Sequence, residues 1–161
     1  MLPEPRESWA SWRYRWLINL WPCYLGTGAR LTHLSADWRR VRVRLPLSWR
    51  TKNAYGTHFG GSLYAAVDPL YVLMFRRILG PGVMVWDKAA SIRFRRPGRS
   101  TLHAELRVEE PELEAIRVAL AADAKVDRTY TVELRDARGE VHAVVEKVVH
   151  FRRADAAPGR P

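Results

Sequence analysis

The sequence predicts an α+β domain in which a largely antiparallel sheet wraps one buried helix. Three observations carry that prediction. Residues 60–79 (GGSLYAAVDPLYVLMFRRIL) are apolar nearly all round, the pattern of a helix buried on every side. Several other stretches alternate apolar and polar residues with the period of two that marks a half-buried strand. Four strand-like stretches follow the apolar helix in succession, with only one short helical pattern among them. At 161 residues, with 47% hydrophobic and 27% charged side chains, the chain fits a single globular domain, placed at 1–153.

Residues 8–21 (SWASWRYRWLINLW) predict an amphipathic helix, with Trp9, Trp12, Trp16 and Leu20 along one stripe. That stripe is expected to pack onto the body of the protein; the alternative is a helix lying on a membrane surface. Pro22 ends the pattern, and Gly26 and Gly28 mark a turn. Residues 29–35 predict a short strand. Residues 38–47 (WRRVRVRLPL) predict a second, with Val41, Val43, Leu45 and Leu47 on one face and Arg40, Arg42 and Arg44 on the other. The arginine face reads as solvated sheet surface, and Pro46 as the strand's end or an edge. Pro69 is expected to kink the apolar helix or free the carbonyl of Ala65, and Gly80-Pro81-Gly82 stops it.

Strands follow at 83–96, 101–109, 127–136 and 140–152. Leu102, Ala104, Leu106 and Val108 share a face in the second of these, and Tyr130, Val132 and Leu134 in the third. Val141, Ala143, Val145, Val149 and Phe151 share one in the last. Residues 111–122 predict a helix with Pro111 in its first turn. Residues 136–140 (DARGE) carry a hairpin signal. Residues 154–161 predict a disordered tail.

The formal net charge of +10 invites a polyanionic partner, but its distribution weakens the case. Residues 1–52 carry a net +7, residues 53–100 a net +5, and residues 101–161 a net −2. The excess is nearly all arginine, which the composition of the coding sequence can supply, so no nucleic-acid partner is expected. Cys23 is the only cysteine, which excludes an intramolecular disulfide and a Cys-based metal site and suits a reducing compartment. His33, His58, His103, His142 and His150 show no metal-ligand spacing. No run of about 18 apolar residues exists, and the first residues do not read as a secretory signal. A cytoplasmic protein without cofactor or metal is the expectation.

The stretch that carries chemistry is 53–68, NAYGTHFGGSLYAAVD. Gly60 and Gly61 open the buried helix, where a substrate can approach the backbone closely and the first N–H groups point outward. Such amides can hold an anion or polarise a carbonyl oxygen. Asp68 follows seven residues after Gly61, about two turns on. A carboxylate in an apolar helix is costly unless it is paired or working. The plainer reading is a tight helix start at Gly60-Gly61, with Asp68 satisfying nearby backbone donors.

Asn-x-x-Gly-x-x-x-Gly-Gly, followed seven residues later by Asp, resembles the hotdog-fold acyl-CoA thioesterases of the PaaI and hydroxybenzoyl-CoA type. Residues 91–98 (SIRFRRPG), the strand after the helix, fit the same fold, and the fuller string NAYGTHFGGSLYAAVDP resembles a branch known only as a domain of unknown function. The resemblance implies a homodimer, or a dimer of dimers, with active sites between subunits. It implies that the amide of Gly60 or Gly61 polarises a thioester carbonyl and that Asp68 of the other subunit acts as base or nucleophile. Asn53 would position water or the substrate carbonyl.

Two departures stand out. Phe59 occupies the place where relatives often have His, so His58, one residue earlier, is a site candidate with a structural role as the alternative. Pro69 directly follows Asp68. Asp87 and Lys88 are read as forming ordinary ion pairs, with Asp87 as a second pocket acid the alternative. Arg93, Arg95, Arg96 and Arg99 would meet the phosphates of CoA or an acidic carrier protein, or else only solvate the sheet. The acyl chain would lie near Leu63, Tyr64 and Val67. The implied activity is hydrolysis of acyl-CoA or acyl-carrier-protein thioesters; the alternative is a non-catalytic acyl-binding hotdog protein.

Overall fold

The six predicted strands form one antiparallel sheet. A computed structural model describes residues 6–156. Its elements are α1 (Trp9–Leu20), α2 (Pro22–Thr27), β1 (Arg30–Leu34), β2 (Arg40–Leu45), α3 (Gly60–Ala65), α4 (Leu70–Leu79), β3 (Val83–Phe94), β4 (Leu102–Arg107), α5 (Glu110–Ala122), β5 (Lys125–Arg135) and β6 (Val141–Arg153). The strand order is β1-β2-β4-β5-β6-β3, so β1 and β3 are the two edges. Residues 154–156 of the expected tail form one turn of 3-10 helix, and 157–161 lie outside the described residues.

α4 packs on one face of the sheet. Leu70, Tyr71, Met74 and Phe75 of that helix are buried against Val145, Val149 and Phe151 of β6 and Val132 and Leu134 of β5. The Phe75 ring meets Phe151 edge-on at 4.9 Å and Tyr130 at 5.2 Å, an arrangement aromatic quadrupoles favour. On β2 the alternation expected from the sequence is realised, with Val41, Val43 and Leu45 buried. Two arginines of its polar face are ion-paired as well as solvated. Arg40 and Arg42 donate to Glu105 of β4 at 2.6 and 3.0 Å, and Arg107 joins them. Burial pushes the Glu105 carboxyl up, but these three guanidinium groups outweigh it and hold the group down at about 2.

The long helix expected over 60–79 is two helices. α3 ends at Ala65, a turn spans residues 66–69, and α4 starts after Pro69. Pro69 has no N–H and its ring excludes a continuous helix, so the chain turns there. Two carbonyls released by the break are taken by side chains from elsewhere. Tyr24 of α2, 2% exposed, donates its hydroxyl to the Ala66 carbonyl at 2.9 Å, and Lys147 of β6 donates to the Asp68 carbonyl. Tyr24→Phe is therefore expected to cost about 1–2 kcal/mol in urea unfolding, because a buried carbonyl loses its donor while the packing stays.

The orientation of α1 reverses the sequence expectation. Its buried residues are Ser11, Ile18 and Asn19, while Trp9, Trp12, Trp16 and Leu20 face outward. The cause is the surface α1 covers. β1 is an edge strand, whose free backbone groups need polar partners. Asn19 donates to the Leu31 carbonyl at 3.0 Å and accepts from the Leu31 amide at 2.7 Å, and Glu7 accepts from the Leu34 amide at 2.8 Å. A tryptophan stripe could not supply those bonds. Residues 22–28, expected as a stop and a turn, contain α2, with Pro22 in its first turn and Gly28 at φ 79° ending it.

Candidate active site

Two clusters of polar groups flank α3, one at its start and one at the turn that follows it. The first is built by the loop over residues 51–59. Asn53 accepts from the amides of Tyr55 and Thr57 at 2.9 and 3.1 Å and donates to the Thr57 hydroxyl and the His58 carbonyl at 2.9 and 3.3 Å. Both donors and both acceptor positions of its amide are thus used within the loop. Asn53 orders the loop, and nothing in that arrangement leaves it a hand for water or substrate.

His58 is 4% exposed. Its amide donates to the Gly98 carbonyl at 2.9 Å, and its ring Nε2 donates to the Ser100 carbonyl at 2.8 Å. Burial, with a smaller push from His142, keeps the imidazole pKa below its usual value against the opposing Ser100 hydrogen bond. The ring sits close against Gly98, where a Cβ would stand 2.8 Å from it. His58 therefore fastens the loop to the segment after β3 and points away from solvent.

Phe59 precedes α3 and offers no side-chain acceptor to it. The amides of Gly60, Gly61 and Ser62 have no intrahelical acceptor at a helix start. The two glycines answer to local crowding. A Cβ at Gly61 would lie 2.5 Å from the Phe59 ring, and one at Gly60 would lie 3.0 Å from the ring of Phe94 at the end of β3. Phe94 also brings the basic segment alongside: Arg93, Arg95, Arg96 and Arg99 are all exposed there. Arg96 is paired with Glu140 at 2.9 Å.

The second cluster centres on a lysine that the sequence reading passed over. Lys147 of β6 is 0% exposed. Its ammonium donates to the Asp68 carboxylate at 3.2 Å and the Asp87 carboxylate at 2.7 Å, in addition to the Asp68 carbonyl. The Tyr64 ring lies 5.7 Å from the same ammonium, within cation–π range. Asp87 reaches inward because it follows buried Val85 by two residues and lies opposite Val149; the register slip between Asp87 and Ala89 comes just after it. Lys88 turns the other way and pairs with Asp127 at 2.5 Å. Asp87 and Lys88 thus both form ion pairs, and Asp87 forms its own beside Asp68.

The electrostatics of this cluster are uneven. Burial pushes the Asp87 carboxyl above its usual range; Lys147 offsets part of that, and the neighbouring Asp68 charge adds to it. Tyr64 is pushed up by burial first and then by Asp68, which accepts from its hydroxyl, and by Asp87. The Asp68 side chain stays 44% exposed, so it is held from within and open to solvent from without.

Lys147 could have been found by its phase. Val145, Val149 and Phe151 point into the core, and Lys147 occupies the same inward register of the same strand. A lysine there must have a buried partner.

One grouping offers ligands for a cation. Asp136, Glu140 and His142 bring ligand atoms within 4.8 Å of one another at the β5–β6 hairpin. Asp136 there caps the turn, accepting from the amides of Arg138 and Glu140 at 2.9 Å each, and Glu140 carries the Arg96 pair. Asp136 and Glu140 are thus engaged by the turn and by arginine, while both ring nitrogens of His142 are buried without a hydrogen-bond partner among the described residues.

The antiparallel sheet curled round a central helix, with a glycine pair opening α3, is the hotdog fold of the thioesterase-like proteins. The chain belongs to the family DUF4442, a domain of unknown function, whose model matches residues 11–150. Among solved structures, a Pseudomonas aeruginosa protein of unknown function described as a probable thioesterase aligns with TM-score 0.81 at 20% identity, covering 92% of this chain and 99% of that one. The thioesterase HI1161 from Haemophilus influenzae aligns with TM-score 0.66 at 13% identity, covering 92% and 94%. The E. coli PaaI protein from the phenylacetic acid degradation operon aligns with TM-score 0.61 at 17% identity, covering 89% and 92%. No curated protein sequence matches the chain.

Proposed function

We propose that this protein hydrolyses acyl thioesters of CoA or of an acyl carrier protein, with Asp68 as base or nucleophile. The observation that carries the proposal is the Asp68–Lys147–Asp87 cluster: a solvent-open carboxylate held from beneath by a fully buried lysine. A structural ion pair needs neither the open face nor the second acid. The amides of Gly60 and Gly61 are the donors for the thioester carbonyl. α3 has only six residues, so these oriented N–H groups, more than a helix dipole, stabilise the developing oxyanion.

The two clusters meet across a homodimer. β3 is an open edge of twelve residues with Trp86 and Phe94 exposed on it, the kind of strand that pairs with a second copy. Antiparallel pairing centred between Ala90 and Ser91 sets Asp87 opposite Phe94 of the partner subunit. The acid cluster of one copy then faces the glycine amides of the other. Arg93, Arg95 and Arg99 at that junction suit the phosphates of CoA or the acidic surface of a carrier protein. Asn53 and His58 act in this scheme by holding the loop that ends at Gly60.

Turnover of a panel of acyl-CoAs by the full chain tests the proposal, with thiol release followed against background hydrolysis. Release above background for at least one acyl-CoA supports it. Saturable binding without release replaces it with the acyl-binding reading.

A further inference from the structure

We propose that the outward face of α1 and α2 is a docking surface for anionic lipid headgroups, on which the protein lies in the plane of a bilayer interface. α1 is amphipathic in the reverse of the usual sense. Its polar side is spent on the β1 edge, and Trp9, Trp12, Trp16, Leu17 and Leu20 form a continuous outward stripe, with Trp9 71% exposed. Trp21 and Leu25 extend the stripe onto α2. Arg50 donates to the Leu25 carbonyl and so brings Trp49, 85% exposed, beside it. Large apolar faces on soluble proteins mark interaction sites, and tryptophan with arginine is the composition of the membrane interface.

Charge selects the occupant. From Ser8 to Ala36 the chain holds Arg13, Arg15 and Arg30 and no carboxylate, although Arg15 is already paired with Glu7 at 2.8 Å. Arg13 lies within the stripe, its guanidinium 4.7 Å over the Trp9 ring. Arg76 and Arg77 of α4 stand exposed at its flank, with Arg77 5.6 Å from the Tyr14 ring. A second copy docking by two-fold symmetry would set this patch against its own image and bring like charges together. Anionic headgroups supply the missing negative charge, and the acyl region takes the indoles. No helix among the described residues is long and apolar enough to cross a membrane, so the contact is in-plane.

The test uses the full chain with vesicles of phosphatidylcholine containing phosphatidylglycerol, and with vesicles of phosphatidylcholine alone. Co-sedimentation with the anionic vesicles is expected, with a blue shift of tryptophan emission. Partitioning should fall by at least about tenfold on neutral vesicles and in the Trp9→Ser/Trp16→Ser/Leu20→Ser variant. Should that variant not fold, quenching of wild-type tryptophan by lipids brominated on their acyl chains reads insertion directly. Absence of co-sedimentation with anionic vesicles, absence of quenching, or equal binding to neutral vesicles overturns the proposal. So does an oligomer that the triple substitution dissociates while vesicles bind neither protein.

Discussion

Asp68→Asn is expected to lower kcat/KM for thioester hydrolysis by about 10²–10³-fold, with KM within a few-fold of wild type. That loss corresponds to about 3–4 kcal/mol of transition-state stabilisation. The substitution conserves volume and leaves an oxygen to accept from Lys147, now 3.2 Å from Asp68 Oδ1, so the buried lysine keeps its contacts to both aspartates. What is lost is the charge and basicity on the solvent-open side. Single-turnover hydrolysis in ¹⁸O-labelled water then separates the two roles of the wild-type residue. A nucleophilic carboxylate passes through a mixed anhydride, and water attacking its aspartyl carbon leaves label in Asp68. A general base sends all label to the released acid. An Asp68→Asn protein with wild-type turnover would remove Asp68 from the chemistry altogether.

How much of this was legible in the sequence depends on what each residue had to answer to. The inward faces of β2, β4 and β6 answer to an apolar core, and period-two alternation reports that directly: Val41, Val43, Leu102, Leu106, Val145 and Val149 are all buried. The position of the helix interruption was legible in Pro69, but its outcome was not. A full break depends on Tyr24 and Lys147, from distant parts of the chain, reaching the released carbonyls. The orientation of α1 was misread because a hydrophobic stripe predicts the inward side only when the covered surface is apolar. Here that surface is the edge of β1, which demands donors and acceptors, and Asn19 and Glu7 meet the demand. At the candidate site the glycine pair and Asp68 stand in one contiguous motif. Lys147 lies 79 residues from Asp68, and only its inward phase on β6 hinted that a buried acid must exist.

That lysine is where the structure has most to lose. Lys147→Met keeps an unbranched side chain in the core and removes the charge, and it is expected to cost about 3–5 kcal/mol, the range for breaking a buried pair and leaving its partners uncompensated. Two carboxylates and the Asp68 carbonyl would then face one another without a cation. The pH dependence follows from Asp87. Burial already holds its folded-state pKa above the usual value, with Asp68 adding to the effect and Lys147 opposing it; the substitution removes the opposing contribution. A group whose pKa is raised in the folded state favours folding below its unfolded pKa and loses that contribution as pH rises through the folded value. The deficit of Lys147→Met should therefore be largest near neutral pH and shrink in mild acid, where Asp87 takes up a proton and donates to Asp68. Urea unfolding of wild type and variant at both pH values measures it, and a deficit that grows in acid would sink the argument. Adding Asp68→Asn and Asp87→Asn should recover most of the loss, because the three charges form one coupled unit whose removal together leaves no charge unpaired. Simple additivity of the three changes would mean that Lys147 is held by packing alone and that the three charges are not coupled.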